Sequence, residues 1–214
     1  TAKCVQEKWT DKRSGVALEP DAANLYHTCD YVIKPATAAR KCSFIELVAA
    51  APQLPEWFVS HWWGEPVCLF LRCLEQHAAD HGLGEDTAYW VCAYANNQHD
   101  LGGAVTSDPS ESSFVKAIEL AEGHMLTVLD EQGVTYRRIW CCLEIFYGLG
   151  RTYEAYTAAE GCEAYDGTKL DEAANAARAA MGAVLTLGDV VARLPIVRDR
   201  RAVGLTSGPC EADR

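Results

Sequence analysis

Glu144 is the residue whose surroundings carry the most chemistry. It ends the run Arg138-Ile139-Trp140-Cys141-Cys142-Leu143-Glu144, which places an acid four residues after a tryptophan inside an apolar helical pattern. A carboxylate in a semi-enclosed apolar site can hold sugar hydroxyls and stabilise an oxocarbenium-like centre, the electrostatics of glycosidic cleavage. The competing reading is an acid on the solvent face of a helix. Much earlier in the chain, Phe58-Val59-Ser60-His61 runs straight into Trp62-Trp63-Gly64-Glu65. Two large aromatics leaving a strand end can form a stacking floor for a nucleobase or a nicotinamide ring. Packing under a loop is the plainer alternative.

Two further groups have ligand-bearing spacing. The polar stretch Asn97-Gln98-His99-Asp100-Leu101-Gly102-Gly103 offers donors and acceptors at a strand end. It reads either as a ligand- or partner-contacting loop or as a surface connection. Cys73, His77 and His81 recur at i, i+4 and i+8, so one helix face can present a thiolate and two imidazoles to a metal. The sequence places no further ligand beside them, so a polar helix flank is expected and no metal site is assigned. No Walker A, G-x-G-x-x-G or G-x-S-x-G pattern occurs, which leaves nucleotide hydrolysis and serine-hydrolase chemistry without support.

The elements that must position these residues alternate. Residues 1–36 have mixed polarity with Gly15, Pro20 and Pro35 and read as an extended arm with short local structure. Ser43 and Glu46 have capping-box spacing for a short helix over 43–50, ended by Pro52 and Pro55. Trp57 to His61 is an apolar run suited to a buried strand. Val67, Phe70, Leu71, Leu74 and Ala78 then mark an amphipathic helix that Gly82 and Gly84 stop. Thr87 to Ala95 is aromatic-rich and strand-like. Ser113 to Ala121 predicts a helix, His124 to Asp130 a strand, Tyr136 to Leu149 a helix and Tyr153 to Ala158 a strand. The expected fold is α/β: a flavodoxin-like parallel sheet of four to five strands with helices on both faces. It occupies 55–160, between an N-terminal arm with a short helix (1–54) and a C-terminal helical extension and tail (161–214). Asp171 to Met181 is helix-prone there, and Val184 to Leu187 is a candidate fifth strand or a continuation of that helix. In such a fold the two opening segments reach one edge of one sheet, where ligands bind.

The 214 residues are 49% hydrophobic, enough for a sizeable core, and carry a net charge of -11. That charge argues against a nucleic acid held by phosphate contacts and against an anionic membrane surface. No apolar run approaches the roughly 20 residues of a spanning helix. Ten cysteines without a C-x-x-C pair, several of them inside apolar patterns, suit mostly free thiols in a reducing compartment, cytoplasmic or organellar.

Taken together these residues resemble the Toll/interleukin receptor (TIR) domain family. Phe58-Val59-Ser60-His61 is similar to its first-strand motif and Asp100-Leu101-Gly102-Gly103 to the loop after its second strand. Trp140-Cys141-Cys142-Leu143-Glu144 is similar to the W-C-x-x-E signature of plant-type members. Trp57 to Glu65 is closest to a divergent TIR-like group of algae and other protists, and Trp62-Trp63 stands where catalytic members often carry basic residues. The resemblance implies either a signalling adaptor that self-associates or an enzyme that hydrolyses NAD+ at the nicotinamide-ribose bond. In the second case Glu144 is the catalytic glutamate. Ser60, His61, Trp62, Trp63, Asn97, Asp100 and Trp140 are then the candidate nucleotide-contacting residues. NAD+ is substrate, not cofactor, and self-association completes the site. The alternative is a non-catalytic interaction module or accessory subunit docking a protein partner through the sheet edge or the 96–103 loop. A flavodoxin-like nucleotide or flavin binder is a third reading.

Overall fold

The computed structural model describes residues 4, 7–102, 109–130, 132–148 and 152–158. The candidate elements at Asp171–Met181 and Val184–Leu187, and the C-terminal extension as a whole, lie outside the described residues.

Four parallel strands form the sheet: β1 (Trp57–His61), β2 (Tyr89–Val91), β3 (Met125–Val128) and β4 (Tyr153–Tyr156). Their spatial order is β2-β1-β3-β4. Val59 is in register with Val91 on one side and Leu126 on the other, and Leu126 with Glu154. Parallel neighbours need crossovers, and each one carries a helix. This is the flavodoxin-like α/β order, whose ligand crevice opens between β1 and β3, where the order reverses.

Strand alternation sends side chains to two cores. On one face Phe58, Met125, Tyr153 and Ala155 pack against Ala117, Ile118 and Ile145. Those last three belong to α4 (Ser113–Leu120) and α5 (Ile139–Gly148). On the other face Trp57, Val59, Leu126, Val128 and Tyr156 pack against Phe70 and Cys73 of α3 (Val67–His81) and against Leu25, Cys29 and Ile33. Gly82 closes α3 in the left-handed conformation that glycine adopts at low cost (φ +61°). The short α2 (Phe44–Val48) has the capping box expected of Ser43 and Glu46.

The N-terminal segment differs from its sequence reading. Residues 25–37 form a helix, α1, rather than extended chain, built of α-helical Leu25–Thr28, π-helical Cys29–Ile33 and α-helical Lys34–Thr37. Leu25, Cys29, Ile33 and Thr37 are all buried, a strict spacing of four. An α-helix turns about 100° per residue, so four-residue steps drift by about 40° each. The wider π segment counters that drift and keeps the stripe on the sheet. It also precedes Pro35, whose missing N–H and ring break the α-helical ladder.

Element edges moved as well. The aromatic run after Thr87 pairs only over Tyr89–Val91, and Cys92–Ala95 coils into a helical turn instead. Before α5, Val134–Arg137 is a 3-10 turn, so the helix starts at Ile139.

Candidate active site

Ser60 is on the α5 face of β1, and its hydroxyl donates to Glu144 Oε2 at 2.5 Å. The two residues come from distant parts of the chain because β1 and α5 flank the same core. Glu144 is only 6% exposed. Burial pushes its carboxyl up to about 8, while the Ser60 hydrogen bond and the Arg138 charge pull it back down. Arg138, at the start of α5, also donates to the Tyr26 hydroxyl at 3.3 Å. Two thiols complete this surround. Burial first, then the Glu144 charge, push Cys141 well above the ordinary thiol range and Cys92 up to about 12. Both are therefore neutral hydrophobes with weak S–H donors, not nucleophiles. Cys141 spends its S–H on the His61 carbonyl at 3.6 Å.

A second carboxyl lies in the same loop as the tryptophans. Glu65 is buried, and neither of its oxygens has a hydrogen-bond partner among the described residues. Burial and the nearby Asp130 push it up to about 8. Asp130 follows β3 and accepts the backbone N–H of Gln132 (2.9 Å) and of Val134 (2.7 Å). The carboxyl ends of β1 and β3 thus carry two buried acids of raised pKa and a third acid held by a turn. An unpartnered buried carboxyl costs stability even when neutral.

The remaining candidates divide. Trp63 is half-buried: its indole N–H reaches Cys92 Sγ at 3.0 Å and its ring leans on Tyr26 at 5.4 Å. Trp62 folds back over Gly64, where a Cβ would sit 2.1 Å from the indole. His61 points to the opposite face of the sheet from Ser60, against Phe70 at 4.8 Å. Burial lowers it to about 4, and its Nε2 has no partner among the described residues. Trp140 stacks on Phe114 at 5.9 Å. Asn97 and Asp100 are spent on structure: Asn97 Oδ1 accepts the His99 N–H at 3.0 Å within the loop while its Nδ2 donates to the distant Lys41 carbonyl at 2.7 Å, and Asp100 Oδ1 accepts the Gly102 N–H at 3.1 Å. Ser60, Glu144 and, through Cys92, Trp63 therefore form one neighbourhood. Asn97, Asp100 and the rings of His61 and Trp140 are engaged elsewhere.

Sequence reasoning passed over Glu65, Asp130 and Arg138 as site residues. A usable signal was present for the first two, because each is an acid within four residues of the carboxyl end of a strand that faces the switch point. Comparison with protein-family models, with curated proteins and with solved structures returns no match for this chain.

Proposed function

We propose that the protein is a TIR-like NAD+ glycohydrolase with Glu144 as its catalytic carboxylate. The observation that carries the reading is the buried Ser60–Glu144 pair at the carboxyl end of β1, in the crevice where this strand order binds ligands. Glu144 holds the nicotinamide-proximal ribose through its hydroxyls. The C1′–N bond breaks with its electron pair going to the nicotinamide nitrogen. The positive charge that develops on the ribosyl centre is stabilised by ionised Glu144. Water adds to C1′ and loses a proton, giving ADP-ribose. Trp62 and Trp63 wall the crevice on the nicotinamide side, and Glu65 supplies a second carboxyl for a hydroxyl or amide.

Ionised Glu144 is the working form, and its pKa is raised to about 8. Turnover therefore climbs between pH 7 and 9. Nicotinamide release by concentrated protein is the test. Glu144→Ala lowers it by about 10³-fold, the scale of losing one preorganised electrostatic contact. Turnover that survives this change in a folded variant overturns the assignment.

One observation favours a docking module. Ile139 and Phe146 on α5 and Leu120 on the neighbouring α4 are exposed. Such residues suit self-association or a protein partner. Phe146→Glu that disperses an oligomer seen by analytical ultracentrifugation, with no nicotinamide release at any concentration, supports this second reading.

A further inference from the structure

The opposite end of the sheet holds a cluster that the NAD+ reading does not use. His77 and His81 are four apart on the last turns of α3, so both imidazoles share one face. α3 runs back along the sheet, which brings them beside Trp57, the first residue of β1, at ring distances of 4.2 and 5.4 Å. Glu154 of the edge strand β4 meets them there: its Oε2 is 2.9 Å from His81 Nε2. One ligand atom from each of the three residues lies within 4.8 Å of the others. Cys73, the third member of the sequence stripe, is buried in the core beside Phe70 instead.

A second observation points to a ligand. His77 is fully buried, and its Nε2 has no hydrogen-bond partner among the described residues. Its other nitrogen, Nδ1, is 2.8 Å from the Tyr89 hydroxyl. If Nδ1 carries the proton and donates to Tyr89, Nε2 keeps a bare lone pair in a site whose neighbours are His81 and Glu154. That is how an outer partner fixes the tautomer of a metal-ligating histidine.

We propose that His77, His81 and Glu154 bind a zinc-class divalent cation, with a fourth position open to water. Two imidazoles and a carboxylate are a borderline-soft donor set suited to zinc. Tetrahedral ligands at zinc distances stand roughly 3.4 Å apart, so closure takes side-chain rotations of the order of 1 Å. The His81 and Glu154 side chains are 34% and 19% exposed, which leaves the entry path and the water position on the solvent side. The ion would tie the end of α3 to the edge strand. It is independent of Glu144, at the other end of the sheet.

Cobalt(II) is the spectroscopic probe and zinc(II) the competitor, on the full chain. The expected result is one cobalt per chain with tetrahedral visible bands, displaced by zinc. The near-ultraviolet charge-transfer band of cysteine ligation should be absent, which separates this site from the eight free cysteines among the described residues. Zinc should also change Trp57 fluorescence and raise the melting temperature. His81→Asn and Glu154→Gln lie near the surface and keep the fold. Each should lower affinity at least about 100-fold and remove the zinc-dependent rise in melting temperature, and Tyr89→Phe about 10-fold. A thiolate band, or binding unchanged in His81→Asn and Glu154→Gln, overturns the proposal, as does no cobalt bound by the folded chain.

Discussion

The two ends of this sheet bury polar groups in opposite ways. At the carboxyl end, Glu144 and Glu65 are acids driven toward neutrality by burial, with Ser60 and the Arg138 charge partly restoring the ionised form of Glu144. At the amino end, His77 is a base driven toward neutrality, lowered to about 4 mainly by burial. A neutral imidazole exposes a lone pair, whereas a neutral carboxyl gives up its charge. On the proposed NAD+ reading the first end would gain its chemistry by deprotonating as a cationic ligand arrives, and on the proposed metal reading the second would bind without a proton change. Strand direction alone separates the two, because one end receives the loops after β1 and β3 and the other receives the end of α3.

The largest expected effect breaks the comparison at the carboxyl end. Glu144→Gln should cut nicotinamide release by about 10³-fold while leaving the melting temperature at pH 8 equal or higher, since it removes a buried ionisable group. A variant that loses activity only because it unfolds would show a lower melting temperature and leave the charge argument unsupported. Next comes pH. Glu65 and Glu144 have folded values of about 8 against an ordinary 4.5, so the stability tied to them is complete below pH 4.5 and falls as pH rises toward 8. His61 and His77, at about 4 against 6.5, run the other way, and what they contribute is lost as pH falls below 6.5 toward 4. The pairs offset between 4.5 and 6.5, and the glutamates act alone above that. Denaturant titrations should show stability declining from pH 6.5 to 8 by roughly 1 kcal/mol per glutamate per pH unit, about half of it removed by Glu65→Gln. A flat profile would deny both acids their shift.

A smaller effect sharpens the charge balance around Glu144. Ser60→Ala and Arg138→Gln each remove a group that holds its pKa down, so the alkaline rise in turnover should move to higher pH, by about one unit or less. Movement to lower pH would reverse the assigned roles. The smallest expected effect belongs to the amino end without metal. His81→Asn breaks a half-exposed pair with Glu154, and chelator-treated protein should lose only roughly 0.5 kcal/mol. A much larger loss would mean that the pair itself, not a bound ion, holds α3 to β4.

The parallel sheet was legible because Trp57 to His61 and His124 to Asp130 are apolar runs of strand length separated by helix-period segments. Glu144 was legible through its setting in an otherwise apolar helix. Its partner Ser60 was legible as a strand residue, but not as a donor, since that depends on which face of β1 meets α5. Asn97 and Asp100 could not be separated from ligand contacts by sequence, because a loop side chain that caps its own turn has the same composition as one that binds. Glu154 escaped the metal argument for a related reason: helix periodicity reveals neighbours on α3, but nothing local tells which strand residue lies opposite. The helix over 25–37 was hidden by its spacing of four and by Pro35, since neither fits a 3.6-residue period.

That spacing of four has a consequence for how the N-terminal helix tolerates changes of length. The π turn at Cys29–Ile33 carries a surplus residue, so Leu25 and Ile33, eight apart, still share one face. Deleting one of the half-buried positions 30–32 would let the turn relax to ordinary α-helix, with Leu25 seven residues before Ile33 and within about 20° of the same face. Leu25 would stay on the core face, and Tyr26 would keep its direction toward Trp63 and Arg138. A substitution at the same position would leave the phase intact. The π turn is therefore a slack point in the segment: it holds one residue more than the phase needs, while the buried Leu25, Cys29, Ile33 and Thr37 fix what the stripe must be.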